Sequence, residues 1–79
     1  MEDPVEHDAE LDAVGLLCPL PVLKARKRLE PLARGQVLRV VADDPAAVID
    51  VPHFCTEAGH ELVVADTTGR ELIFLIRKA

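Results

Sequence analysis

The sequence predicts an α/β chain of the two-layer α+β sandwich kind, with a mixed four-stranded sheet and two helices on one face. Three observations carry this. Segments with three- and four-residue apolar spacing alternate with short β-branched runs. Both helical segments open on proline, at Cys18-Pro19-Leu20-Pro21 and at Asp43-Asp44-Pro45, where a missing N–H costs nothing. The last stretch divides about Asp66-Thr67-Thr68-Gly69 into two strand-like halves. The order is β-α-β-α-β-β, and right-handed crossovers make the first two strands parallel and leave the final hairpin antiparallel in the same sheet.

Each element has its own warrant. Ala9 to Val14 alternates, with Leu11 and Ala13 opposite Asp12 and Val14, and Gly15 starts the turn toward Cys18. In the first helix Val22, Ala25, Leu29, Leu32 and Ala33 make one apolar stripe, with Lys24, Lys27 and Arg28 on the opposite side. Pro31 counts against a final turn, and Gly35 is read as the stop. Gln36 to Ala42 is a β-branched strand. In the second helix Val48, Val51, Cys55 and Ala58 fall on one face, so Cys55 reads as structural core, while Pro52 is expected to kink or divide the helix and Gly59 to end it. Glu61 to Ala65 and Glu71 to Arg77 are the hairpin strands.

Composition bounds the possibilities. At 79 residues and 49% hydrophobic content the chain suits one domain over residues 9–79. Residues 1–8, charged and poor in apolar groups, read as a flexible acidic tail. There is neither a long apolar span nor a leader pattern, so the expected setting is cytoplasmic, without a membrane. Two cysteines, at 18 and 55, are too few for a disulfide framework and are expected as free thiols. The net charge of −5 hides an asymmetry: six acids lie in the first twelve residues, and five of nine basic residues fall between Lys24 and Arg34.

Cys18 is the expected chemical centre. It stands where a strand-like stretch meets a proline-marked helix, and so reads as the N-cap. The N–H groups of Leu20 and Val22 would then face the sulfur, and the positive end of the helix dipole would favour the nucleophilic thiolate. The competing reading, a small hydrophobe packed at a strand end, is weaker because a cap lies at the rim of the fold.

The blocks Leu11-Asp12-Ala13-Val14-Gly15-Leu16-Leu17-Cys18-Pro19-Leu20-Pro21, Asp43-Asp44-Pro45-Ala46, Asp50-Val51-Pro52-His53-Phe54-Cys55 and His60-Glu61-Leu62 resemble the TusA family of sulfur carrier proteins, the SirA/YedF-like family. The resemblance runs over residues 9–79. It implies a CPxP cysteine, here Cys18 supported by Pro19, Leu20 and Pro21, that accepts sulfane sulfur as a persulfide and passes it on. The implied donor is a cysteine desulfurase or similar enzyme. The implied acceptor is a downstream protein of tRNA thiolation, molybdenum-cofactor metabolism or sulfur oxidation, so nucleic acid enters only indirectly. No cofactor or metal is implied. Position 20 is leucine, where members resembling tRNA-thiolation carriers often have glutamate, and this bears on partner choice.

A carrier exposes its thiol to successive partners, which makes a monomer the expected state. Lys24, Lys27 and Arg28, with Asp43 and Asp44, are candidates for partner binding through complementary charge; the plain alternative is a solvated helix face. The rival function is a regulatory, RNA-binding or protein-binding module acting through that basic helix, opposed by net acidity and by only two aromatics, Phe54 and Phe74. A dithiol redox site would want a second cysteine where Pro21 stands. A metal site assembled from Cys18, His53, Cys55 and His60 lacks paired-ligand spacing.

Overall fold

A computed structural model describes residues 6–79. The chain runs through β1 (Ala9–Ala13), α1 (Leu20–Leu29), β2 (Val37–Ala42), α2 (Ala47–Ala58), β3 (Glu61–Asp66) and β4 (Leu72–Arg77), the expected order. The strands lie in the order β1-β2-β4-β3. β1 is parallel to β2, with Leu11 opposite Val40 and Ala13 opposite Ala42. β4 is antiparallel to both β2 and β3. Parallel neighbours need a crossover, and α1 supplies it.

Alternation along the strands decides where the core lies. Leu11 and Ala13, then Leu38, Val40 and Ala42, then Leu72, Phe74 and Ile76 form one buried cluster with Ala25 and Leu29 of α1 and Ala47, Val51, Phe54 and Cys55 of α2. Both helices therefore cover the same face of the sheet. Complete burial of a side chain such as Phe74 or Leu38 stabilises by about 1.5–3 kcal/mol before the cost of ordering it. On the opposite face, facing residues of neighbouring strands pair in charge: Glu10 with Arg39 at 3.0 Å and Glu61 with Arg77 at 2.8 Å.

Four expectations change. First, α1 stops at Leu29, before Gly35 is reached, because Pro31 has no N–H to continue the ladder; Leu32 N–H instead bonds the Leu29 carbonyl at 3.0 Å. Lys78 completes this end, its Nζ donating to the carbonyls of Leu29, Glu30 and Leu32 at 2.9, 3.3 and 3.3 Å. Leu32 packs against the core while Ala33 is exposed.

Second, Pro52 does not divide α2. The carbonyl left without its helical donor is that of Val48, an exposed residue at the first turn. Third, the buried face of α2 is Ala47, Val51, Phe54 and Cys55; Val48 and Ala58 point outward. Gly59, at φ 80°, closes the helix as expected, its N–H donating to the Cys55 carbonyl.

Fourth, part of the tail belongs to the fold. Residues 1–5 lie outside the described residues, but Asp8 donates its N–H to the Val37 carbonyl and accepts the Val37 N–H on its carboxylate, each at 2.8 Å.

Candidate functional site

β1 and β2 are parallel neighbours, so the loops that follow them leave the sheet at the same end. Two aspartates weld these loops together. Gly15, at φ 87°, turns the chain out of β1 and donates its N–H to the Asp43 carboxylate at 2.8 Å. Asp44 accepts the Cys18 N–H on Oδ2 at 2.7 Å and the Ala46 N–H on Oδ1 at 3.1 Å, so one carboxylate holds both the cysteine and the turn into α2. Hydrogen bonds to a charged acceptor contribute about 1.5–3 kcal/mol each. Asp43 and Asp44 thus brace the cysteine loop from within.

Cys18 is exposed and Cys55 is buried; both are free thiols. Cys18 is not the cap of α1. Pro19 holds that position, Pro21 lies within the first turn, and the Cys18–Pro19 peptide is cis. The Leu20 N–H, expected to face the sulfur, donates to the Leu17 carbonyl at 2.8 Å. The thiol therefore takes its environment from acids. A hydrogen bond to Asp50, partial desolvation, and the charges of Asp50 and Asp44 push the Cys18 thiol above its ordinary range, the reverse of the thiolate-favouring site expected from the sequence.

Beside Cys18 and Pro19 lies an open hollow of about 360 Å³ between the two helices. α1 contributes Val22 and Arg26 to its wall, and α2 contributes Asp50, His53, Phe54 and Glu57. These positions recur at helical spacing: 19, 22 and 26 on one helix, and 50, 53, 54 and 57 on the other. The Arg26 guanidinium lies 5.6 Å from the centroid of the Phe54 ring, within cation–π range. Asp50 sits in the first turn of α2, where the helix dipole favours a carboxylate.

The large apolar residues left exposed gather toward this end. Leu17 and Leu20 flank the cysteine, Leu23 follows one turn along α1, and Val48 and Ile49 open α2 beside Asp50. Leu17 and Ile49 are the most open, at 69% and 74%. Leu20, the motif residue between the prolines, is thus a surface group.

The expected basic trio behaves differently. Lys24, Lys27 and Arg28 line a separate hollow with Leu11, Asp12, Val14 and Leu16, and Arg26 is the basic residue that borders Cys18. Lys27 and Arg28, with Arg26, also occupy the last turn of α1, where cations complement the dipole. Of the residues weighed as metal ligands, Cys18 and His53 border the hollow. Cys55 is in the core at 2% exposure, and His60 packs its ring against Phe54 and accepts the Ala79 N–H. Among the described residues no helix is long and apolar enough to cross a membrane.

Arg26, Asp50 and Glu57 were given no role in the sequence, and His53 was weighed only as a metal ligand. For Asp50, His53 and Glu57 the signal was there, as a polar row beside the apolar stripe of α2. It could not be read without knowing that this row faces α1.

Comparison with known proteins supplies a frame for this site. The family profile described as sulfurtransferase TusA matches residues 9–78. A protein of Pseudomonas syringae pv. syringae named sulfur carrier protein TusA is 43% identical over 81 aligned positions, covering 99% of this chain and 96% of that one. One of the same name from Allochromatium vinosum is 46% identical over 74 positions, covering 94% and 97%. The crystal structure of a SirA-like protein from Desulfitobacterium hafniense superposes with a TM-score of 0.76 at 24% identity, covering 89% of this chain and 96% of that one, which bears out the fold.

Proposed function

The chain belongs to the TusA sulfurtransferase family, and from that membership and the geometry of the cysteine loop we propose that it is a sulfur carrier that holds sulfane sulfur as a persulfide on Cys18. The observation that carries the reading is the contrast in access: Cys18 stands exposed on a braced loop beside an open hollow, while Cys55 is sealed in the core.

The chemistry needs one accessible sulfur. Cys18 loses its proton to solvent, and its thiolate attacks the outer sulfur of a donor protein's persulfide. A new S–S bond forms on Cys18, the donor's S–S bond breaks, and the donor cysteine leaves as a thiolate that takes up a proton. In discharge, an acceptor thiolate attacks the outer sulfur of the Cys18 persulfide, and Cys18 leaves as thiolate. No net oxidation occurs, and no resolving cysteine is required. Pro19 and Pro21 stiffen the backbone on which the sulfur sits, and the Asp44 bond to the Cys18 N–H fixes where the loop presents it.

A cysteine desulfurase is the expected donor class, a sulfur-accepting protein the expected receiver, and the cytoplasm the expected setting. The test is transfer of labelled sulfur from cysteine by a desulfurase. Wild-type protein should carry the label, and Cys18→Ser protein should not. Equal labelling of the two would end the proposal.

A further inference from the structure

This inference rests on Cys18 as the sulfur-bearing residue and concerns what kind of partner surface fits around it. Near the sulfur the charge is mostly of one sign. Asp50 and Glu57 line the hollow, and the Asp44 carboxylate lies 2.7 Å from the Cys18 N. Arg26 is the cation of the wall, placed over the Phe54 ring, and His53 completes the titratable groups there. Exposed apolar residues adjoin these groups along the chain, Leu17 and Leu20 on either side of Cys18-Pro19 and Ile49 just before Asp50.

We propose that the surface around Cys18 receives a partner segment that is both cationic and apolar, and that its cation, seated against Asp50, frees the sulfur to react. The apolar part covers Leu17, Leu20 and Ile49, which excludes water and strengthens the charge pairing beneath it. Without that cation, the Asp50 carboxylate, which lines the same hollow as Cys18, disfavours a second negative charge beside it. With Asp50 paired to the cation, the thiol proton leaves to solvent and the thiolate is stabilised in turn. The free carrier is thereby slow toward stray electrophiles and fast toward a matching partner. This gives specificity through charge where the chemistry alone has none.

Small disulfides of different charge read the site without any partner protein. Cys18 thiolate attacks one sulfur of the disulfide, forms a mixed disulfide and releases the other half as thiolate. The probes are cystamine (cationic), bis(2-hydroxyethyl) disulfide (neutral) and dithiodiglycolate (anionic). Each rate is divided by the rate of the same probe with N-acetylcysteinamide, which corrects for intrinsic reactivity. The expected order is cationic, neutral, anionic, with steps of about threefold at low salt, the factor that a unit charge about 6 Å away produces in water. Added salt should shrink the steps. Asp50→Asn should flatten the order, and exposed Glu57→Gln should flatten it partly, with thermal unfolding confirming that each variant folds.

A flat order in the wild type, a preference for the anionic probe, or an order that survives both substitutions would overturn the proposal. Failure of the carrier reading would show separately, as sulfur uptake that persists in Cys18→Ser.

Discussion

The two cysteines of this chain are the same residue in opposite situations. Both thiols are held above their ordinary range, but for different reasons. Cys18 is exposed and takes its shift first from a carboxylate hydrogen bond, whereas Cys55 is pushed up to about 11 by burial. On the proposal above, a cation paired with Asp50 releases the first of these holds. The hold of the core yields only when the protein unfolds. One cysteine is thus open to solvent, and the other is a packing group. Four experiments attack this contrast, from the largest expected effect to the smallest.

The widest gap is in sulfur loading by a desulfurase. Cys18→Ser should lose it entirely, while Cys55→Ser, if folded, should keep it; labelled-sulfur transfer reads both. The contrast inverts for stability. Cys55→Asp places an uncompensated charge among Val51, Phe54 and the sheet and should cost several kcal/mol in denaturant unfolding, while Cys18→Ser should change stability by less than about 0.5 kcal/mol. An unaltered midpoint in Cys55→Asp would remove Cys55 from the core.

The third experiment uses pH. An unfolded thiol titrates near 9.0, and folded Cys55 near 11. Because the folded pKa is raised, the contribution of the neutral thiol is fully present below about pH 9 and is lost as pH rises through about 11. The loss should amount to roughly 2–3 kcal/mol and be absent from Cys55→Ala. Equal slopes in the two proteins would contradict it.

The fourth concerns the brace of the reactive loop. Asp44→Ala removes the acceptor of two backbone N–H groups and should destabilise by about 1–3 kcal/mol while increasing proteolytic nicking near Cys18. A variant as stable and as resistant as the wild type would mean that the loop does not depend on Asp44.

The fold was legible because its signals are local and agree with one another. β1 and β2 alternate or run β-branched, Pro45 and Gly59 bracket α2, and Asp66 to Gly69 mark the hairpin turn. The Asp66 carboxylate there accepts both the N–H and the hydroxyl of Thr68, which holds it below the usual carboxylate range. Cys55 was legible as core for the same reason, since its helical phase with Val51 is local.

The site was legible only in part. Cys18 and its loop could be found from the motif, and the topology brought Asp43 and Asp44 near. The chemical environment of the sulfur was misread because it depends on where one N–H and one carboxylate go. The Leu20 N–H turned inward to Leu17, and Asp50 reached Cys18 from another helix. Spacing within α1 contains no trace of either. Likewise, Arg26 and not Lys24, Lys27 or Arg28 borders the cysteine, because the azimuth of a helix is set by what it packs against.

The most direct test of the contrast loads both cysteines at once. The wild-type protein is incubated with a cysteine desulfurase, pyridoxal phosphate for that enzyme, and cysteine, and is then mapped by mass spectrometry of its peptides without reduction. The account predicts the added mass of one sulfur atom on the peptide containing Cys18 and none on the peptide containing Cys55. Added sulfur on Cys55, or none on Cys18 in a protein that remains folded, would contradict it.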